Sequence, residues 1–300
     1  MITPQPPQMP CLFAACSASL SAHHAQFGDL PELTGGELIS VLEAARLAGR
    51  GGGGFPAGGK IAAVIGAKPV VIANGAEGEP LSAKDAILLT QAPHLVLDGL
   101  ELAASAVRAD KAYVYVPTHV ASAVTHALDE RRKARIGRHK PAVVESPKMF
   151  VAGEESALVR HIEGGPALPR DRTLVTAISG VRGRPTLVNN VETLAHIALI
   201  ARFGPQWFAS IGNRDSPGSM LVTLSGAVAV PGVVEVPTGA SLADLVERVG
   251  ETDPRTVRAL LVGGYHGRWV PAPAFDSAPG AEQESMSGVG ILHVLATHEC

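Results

Sequence analysis

The run AGRGGGGFPAGGK, residues 48–60, gathers seven glycines, one arginine and one lysine into a single short segment. Gly49, Gly51 and Gly54 fit the spacing G-x-G-x-x-G, and Gly54 to Lys60 fits G-x-x-x-x-G-K. Both motifs are defined by a buried strand before the loop and a helix after it. Here the preceding stretch GGELISVLEAARLAG carries apolar residues at helical spacing, Leu38, Val41, Leu42 and Ala45. Thr34 followed by Glu37 is a capping-box pattern that opens this helix. Ile61 also stands where the second motif needs a hydroxyl for magnesium. Neither standard reading survives its context. Two physical readings stay open: a nest of backbone amides for an anion, with Lys60 and Arg50 adding charge, or a flexible hinge.

Three hundred residues suffice for one large or two ordinary domains. A net charge of −3 gives no electrostatic footprint for nucleic acid or an anionic membrane surface. The dense basic run Arg131, Arg132, Lys133 and Arg135 closes a helical pattern, where a solvated C-terminal end is expected. Cys11, Cys16 and Cys300 form no C-x-x-C pair, so neither a disulfide framework nor a metal site is expected. No apolar run has the length of a membrane span, and the first basic residue other than histidine is Arg46. These features predict a cytoplasmic chain with no direct membrane insertion.

Residues 1–33, with four prolines before Cys11, read as a poorly ordered leader. Beyond the glycine loop, strands (KPVVIANG, KAYVYV, PAVVES) alternate with helices (PHLVLDGLELAASAV, HVASAVTHALDERRK, and one opening at GEES). That alternation predicts an α/β domain with a parallel sheet over residues 34–216. From 217 to 300 the pattern changes to two β-rich runs broken at Pro231-Gly232, a short helix capped by Ser241, and further strands. This predicts a separate small α+β domain.

Just past a strand end, NGAEGEP holds Asn74, Glu77 and Glu79 where ligands of parallel sheets sit. Asn74-Gly75 also suits a plain tight turn. GEES places Gly153, Glu154 and Glu155 at a helix start, where acidic residues equally complement the helix dipole. RPTLVNNVET puts Asn189, Asn190 and Thr193 at another helix start, which serves capping and anion binding alike.

Taken in order and spacing, GRGGGGFPAGGK, NGAEGEP with KD and PH after it, GEES and GRPTLVNNVET resemble one family: the flavin-carrying subunit of respiratory complex I and its relatives in NAD-linked hydrogenases and formate dehydrogenases. The resemblance spans residues 34–296. It implies a Rossmann-like FMN-binding domain followed by a β-grasp module of the soluble-ligand-binding type. By that resemblance Gly49, Arg50, Gly51, Gly52, Gly54 and Lys60 wrap the flavin and its phosphate. Asn74, Glu77, Asn189, Asn190 and Thr193 hold the ring and ribityl chain. Glu79 and Glu155 face a nicotinamide nucleotide, Glu154 lies near the isoalloxazine, and Phe150 and Gly153 belong to the same wall. No side chain is expected to act as a nucleophile, because a flavin itself carries hydride and electron chemistry.

Departures from the family pattern are specific. Ala76 stands where the family has Asp, and Phe150 where it has Tyr. Two phenylalanines that sandwich adenine align with Ala63 and Val175. Each lost stacking contact is worth roughly 1 kcal/mol, so an affinity loss of at least ~10-fold for NADH is expected at that position. Trp207 and Trp269 are the aromatics available to restore a stacking face. With no C-x-x-C-x-x-C before Cys300, a 4Fe–4S cluster is not expected in this chain, and an iron–sulfur or ferredoxin-like partner is. The resulting expectation is an FMN-dependent oxidoreductase of the NADH dehydrogenase type, with NAD possible. The alternative is a catalytically silent module that kept the fold.

Overall fold

The computed structural model describes residues 8–9, 11–171, 173–272 and 289–299. Four parallel strands build the first sheet: β1 (Val70–Asn74), β2 (Lys111–Pro117), β3 (Ala142–Ser146) and β4 (Thr186–Asn190), in the order β3-β2-β1-β4. In β1, Val70 to Ala73 are fully buried. That is the continuous apolar run of a strand covered on both faces, rather than an alternation. One face is covered by α5 (Pro93–Ala106) and α8 (Val191–Ala209), which pack closely. A methyl group on Gly99 would lie 1.8 Å from the Leu194 carbonyl oxygen, so the helices can approach only because that position is glycine. The other face is closed by α7 (Glu155–Ile162) through Leu158 and Val159 against Val70, Ile72, Tyr115 and Val188.

The glycine segment begins after α2 (Gly35–Ala45), whose Thr34–Glu37 capping box is formed in both directions. It folds back on itself, with Ala48 bridged to Pro56 and the Gly49 amide donating to the Phe55 carbonyl at 2.9 Å, then enters α3 (Ala57–Ala62). A helix does lead into the loop.

The second sheet has the order β6-β5-β9-β7-β8, from β5 (Ser219–Gly226), β6 (Gly232–Pro237), β7 (Val257–Val262), β8 (Arg268–Pro271) and β9 (Ile291–Ala296). Its central pair β5–β9 is parallel and the other pairs are antiparallel. With α9 (Leu242–Asp244) capped by Ser241, this is a β-grasp arrangement with its own core of Val222, Leu245, Leu260 and Val294.

Two expectations need correction. The leader is ordered from Cys11 on: α1 (Leu20–Phe27) is capped by Ser19, and Cys11, Leu12 and Phe27 are buried in the main core. The Leu12 amide donates to Glu235 on β6 at 2.8 Å, which ties this segment to the second sheet. The basic end of α6 (Thr118–Ala134) is not wholly solvated either. Arg131 is buried and reaches Asp98 at 2.7 Å, because α6 lays that side chain against α5. Cys300 lies outside the described residues. No described helix is long and apolar enough to cross a membrane.

Candidate functional site

The carboxyl ends of the parallel strands and the glycine loop enclose adjoining cavities. The first, of about 220 Å³, is lined by Gly51, Asn74, Glu77, Phe150, Gly153 and Asn190, with Glu79 and Lys84 completing its walls. The loop's other side faces a cavity of about 240 Å³ that gathers Gly49, Arg50, Gly52 and Gly54. These residues come from segments far apart in sequence, and the fold brings them together. Lys60, Glu154, Glu155, Asn189 and Thr193 line neither cavity.

Each of the five has another setting. Lys60 is paired with Glu155 at 2.6 Å, both about one third exposed. Glu154 is the N-cap of α7, accepting from the Ser156 and Ala157 amides at 2.8 and 2.9 Å. Thr193 accepts the Arg50 amide at 2.8 Å and so fixes the loop to α8. Asn189 is buried at the end of β4, and its Nδ2 has no partner. Its neighbour Asn190, on the cavity wall, caps α8 through the Glu192 amide and donates to Asp85 at 2.6 Å.

Backbone approach shapes the first cavity. A methyl group on Gly78 would lie 2.0 Å from the Phe150 carbonyl oxygen, and one on Gly153 would lie 2.7 Å from that of Ala76. The glycines therefore allow the 76–79 and 150–153 loops to meet. Asn74 closes the joint by donating to the Gly153 carbonyl at 2.8 Å and accepting from the Ala76 amide at 3.2 Å. Glu77 accepts from the Ser82 hydroxyl and from the Ala86 amide in α4 (Lys84–Gln91). Glu79 accepts the Tyr265 amide of the β7–β8 turn.

Beneath the cavity lies an ionic cluster that local sequence patterns do not reveal, although its members fall within the KD and VET segments. Lys84 is buried and donates to Asp85 and to Glu192, each at 2.7 Å. Glu192 in turn accepts the Leu221 amide of β5 at 2.8 Å, so the cluster joins the two sheets. Burial pushes Asp85 up to about 7, against the pull of Lys84. For Glu192 burial acts upward too, but Lys84 prevails and holds it at about 2. Burial lowers the Arg50 guanidinium from its ordinary value, with Glu192 resisting.

The two positions where the resemblance places aromatic residues are exposed. Ala63 and Val175 line neither cavity, and Val175 is 64% exposed. Trp207 packs on Phe203 and Phe208, and Trp269 lies half exposed on β8, so neither tryptophan fills the gap.

A parallel sheet with its polar cavity at the strand ends, followed by a β-grasp unit, defines a ligand-binding α/β protein. The chain belongs to the Nuo51 FMN-binding domain family, whose model matches residues 42–199. It is 33% identical over 280 residues to a subunit of the NADH-quinone oxidoreductase of Rhizobium meliloti (strain 1021), covering 88% of this chain and 66% of that one. It is 30% identical to the NADP-reducing hydrogenase subunit HndC of Solidesulfovibrio fructosivorans, covering 89% of this chain and 59% of the relative. The fold matches a crystal structure of an NAD+-reducing NiFe hydrogenase in the H2-reduced state with a TM-score of 0.76 at 34% identity, over 87% of this chain and 46% of that one. The chain thus spans about half to two thirds of the length of these curated relatives.

Proposed function

We propose that the chain binds FMN in the cavity at the strand ends and serves as the flavin unit of an NADH dehydrogenase-type oxidoreductase. The observation that carries this reading is the buried Arg50 Nε, left without a protein partner on the wall of a cleft that glycines keep open. Buried donors of this kind are ordinarily satisfied, so a polar ligand is the natural occupant. Gly49, Arg50, Gly51, Gly52 and Gly54 would surround its phosphate end. Asn74, Glu77 and Asn190 would hold the ribityl chain and ring, with Phe150 and Gly153 as the wall, while Asn189 and Thr193, which line neither cavity, would support that wall and the glycine loop from behind. Bound there, FMN supplies two-electron acceptance and one-electron release.

Lys60 would take part by exchanging its Glu155 partner for the phosphate, a change that also frees Glu155 for a nicotinamide donor. Electrons would pass between that two-electron donor and an iron–sulfur carrier, in a partner chain or in a further segment of the same polypeptide. On this reading the chain works in the cytoplasm, within a larger redox complex. The competing reading, a silent scaffold, leaves the unpartnered Arg50 Nε and the open cleft without a purpose.

FMN titration of the purified chain is the test. Flavin fluorescence should be quenched stoichiometrically and the melting temperature should rise. Lys60→Ala should weaken FMN by ~10- to 100-fold, as expected for a charge-assisted hydrogen bond worth ~1.5–3 kcal/mol. Stabilisation by ATP with no response to FMN would refute the proposal.

A further inference from the structure

Residues 131–140, RRKARIGRHK, hold six lysines and arginines and no carboxylate, in a chain whose net charge is −3. They run off the end of α6 into the connection to β3, the outermost strand of the first sheet. That connection meets the amino end of β3, whereas the cavities proposed for FMN lie at the carboxyl ends of the strands. A strand of five residues is roughly 17 Å long, so the basic stretch occupies the opposite pole of the sheet. The flavin site makes no use of it.

At this pole lies a cavity of about 640 Å³. Leu97 of α5, Leu128 of α6 and Val143 of β3 give it aliphatic walls, all buried or half-buried, while the exposed Arg135 and Lys140 stand at its edge. The connection is fastened over it. Glu101 on α5 accepts the Arg138 and His139 amides at 3.0 and 3.2 Å and meets His139 Nδ1 at 3.0 Å. The Ile136 amide donates to the Arg131 carbonyl at 2.9 Å, which closes the turn out of α6. A second cavity, of about 510 Å³, shares Glu101, Arg135 and Gly137 with the first and continues to Leu30 and Leu33. Together they form one groove.

The charges along this groove do not balance. Arg131 is taken by Asp98, Arg132 by Asp129 at 3.1 Å and Arg138 by Glu32 at 2.8 Å. Arg135 and Lys140 have no carboxylate partner among the described residues. Ile136, next to Arg135 in the chain, keeps 39% of its surface exposed at the same opening.

We propose that this groove docks an acidic segment of a partner protein, with aliphatic side chains filling the cavity and carboxylates meeting Arg135 and Lys140. Apolar anchors in a groove supply affinity, and complementary charge at the edge selects the partner. A nucleic-acid backbone would find cations here but has nothing to place among Leu97, Leu128 and Val143. An anionic bilayer would meet Glu32, Glu37 and Asp129 on the same groove, which repel it.

Short peptides selected from a random display library on the full chain test this. The recovered peptides should combine carboxylates with aliphatic side chains and should weaken as salt is raised. Their affinity should fall ~10-fold or more in the double variant Arg135→Glu/Lys140→Glu and in Ile136→Asp, and should survive Arg135→Lys/Lys140→Arg. All three changes are at exposed positions, so the melting temperature and FMN affinity should stay as they are. Peptides without carboxylates, or a library yielding none that these substitutions weaken, would overturn the assignment. So would sedimentation with phosphatidylserine vesicles, or a dimer in light scattering, that the charge-reversed variant abolishes. The groove would then belong to an anionic bilayer or to a second copy of the chain.

Discussion

Asp85 and Asp98 are both buried beside buried cations, yet their surroundings drive them in opposite directions. Asp85 shares the single ammonium of Lys84 with Glu192, at the wall of the first cavity. Asp98, in the helical layer, receives Arg131 at 2.7 Å, Arg202 at 2.5 Å and His23 at 2.8 Å. In the first cluster carboxylates outnumber the ammonium, and burial lifts Asp85. In the second, cations outnumber the carboxylate, and His23 with the two guanidiniums overcomes burial to hold Asp98 well below its ordinary value. The second cluster also joins α1, α5, α6 and α8, so its function is to lock helices. The first joins the two sheets under a ligand cavity, where a carboxyl that changes protonation near neutrality can respond to what binds above it.

The largest expected effect separates the two clusters. Asp98→Asn leaves two buried guanidiniums facing a neutral amide, and breaking a buried ion pair by removing one partner costs ~3–5 kcal/mol. Urea unfolding at pH 7 should show a loss of that size. FMN affinity, measured where the variant remains folded, should be unchanged because no member of this cluster lines either cavity of the proposed flavin site. A loss below ~1 kcal/mol would mean that the cluster is no lock.

The second effect has the opposite sign. The Asp85 carboxyl is lifted from an ordinary value near 3.8 to about 7. The folded state therefore holds a proton that the unfolded chain releases, and stability falls as pH rises between those values. Asp85→Asn removes that loss and keeps an oxygen for Lys84, but its amide then faces the Asn190 amide that Asp85 accepts, which offsets part of the gain. It should raise stability at pH 7.5 by on the order of 2 kcal/mol and change it little at pH 4. Equal effects at both pH values would show that burial does not lift this carboxyl.

Why one region is legible in the sequence and the other is not follows from the range of the interactions. The glycine loop, Asn74, Glu77 and the Asn189–Asn190 pair announce themselves because turn geometry, strand ends and helix caps are local. A second, small α+β unit is likewise readable from its β-rich runs and the Pro231-Gly232 turn, whereas its β-grasp arrangement is what the family resemblance implies. Lys84–Glu192 forms only when α4 meets α8, and Glu79–Tyr265 only when the two sheets dock; both pairs are far apart in sequence. Arg131 reads as a solvated helix end because nothing near it in sequence names Asp98. The N-terminal segment misleads for the same reason: its prolines are local, whereas the burial of Leu12 and Phe27 depends on helices far along the chain.

The smallest effect bears on a residue that both local structure and family resemblance claim. Glu154 accepts two amides at the start of α7, the pattern of a helix cap. Replacing such a cap with Ala typically costs ~1 kcal/mol. If capping is its whole role, Glu154→Ala lowers stability against urea by that amount and leaves FMN affinity within about twofold. A contact with the isoalloxazine, as the resemblance implies, would instead cost FMN affinity beyond what the stability change explains. We expect the first outcome. Oε2 of Glu154 is already engaged by the Ser156 and Ala157 amides, and the side chain lines neither cavity, so turning it toward the flavin would uncap α7. A tenfold loss of FMN affinity with an unchanged urea midpoint would reverse that judgement and extend the flavin site onto α7.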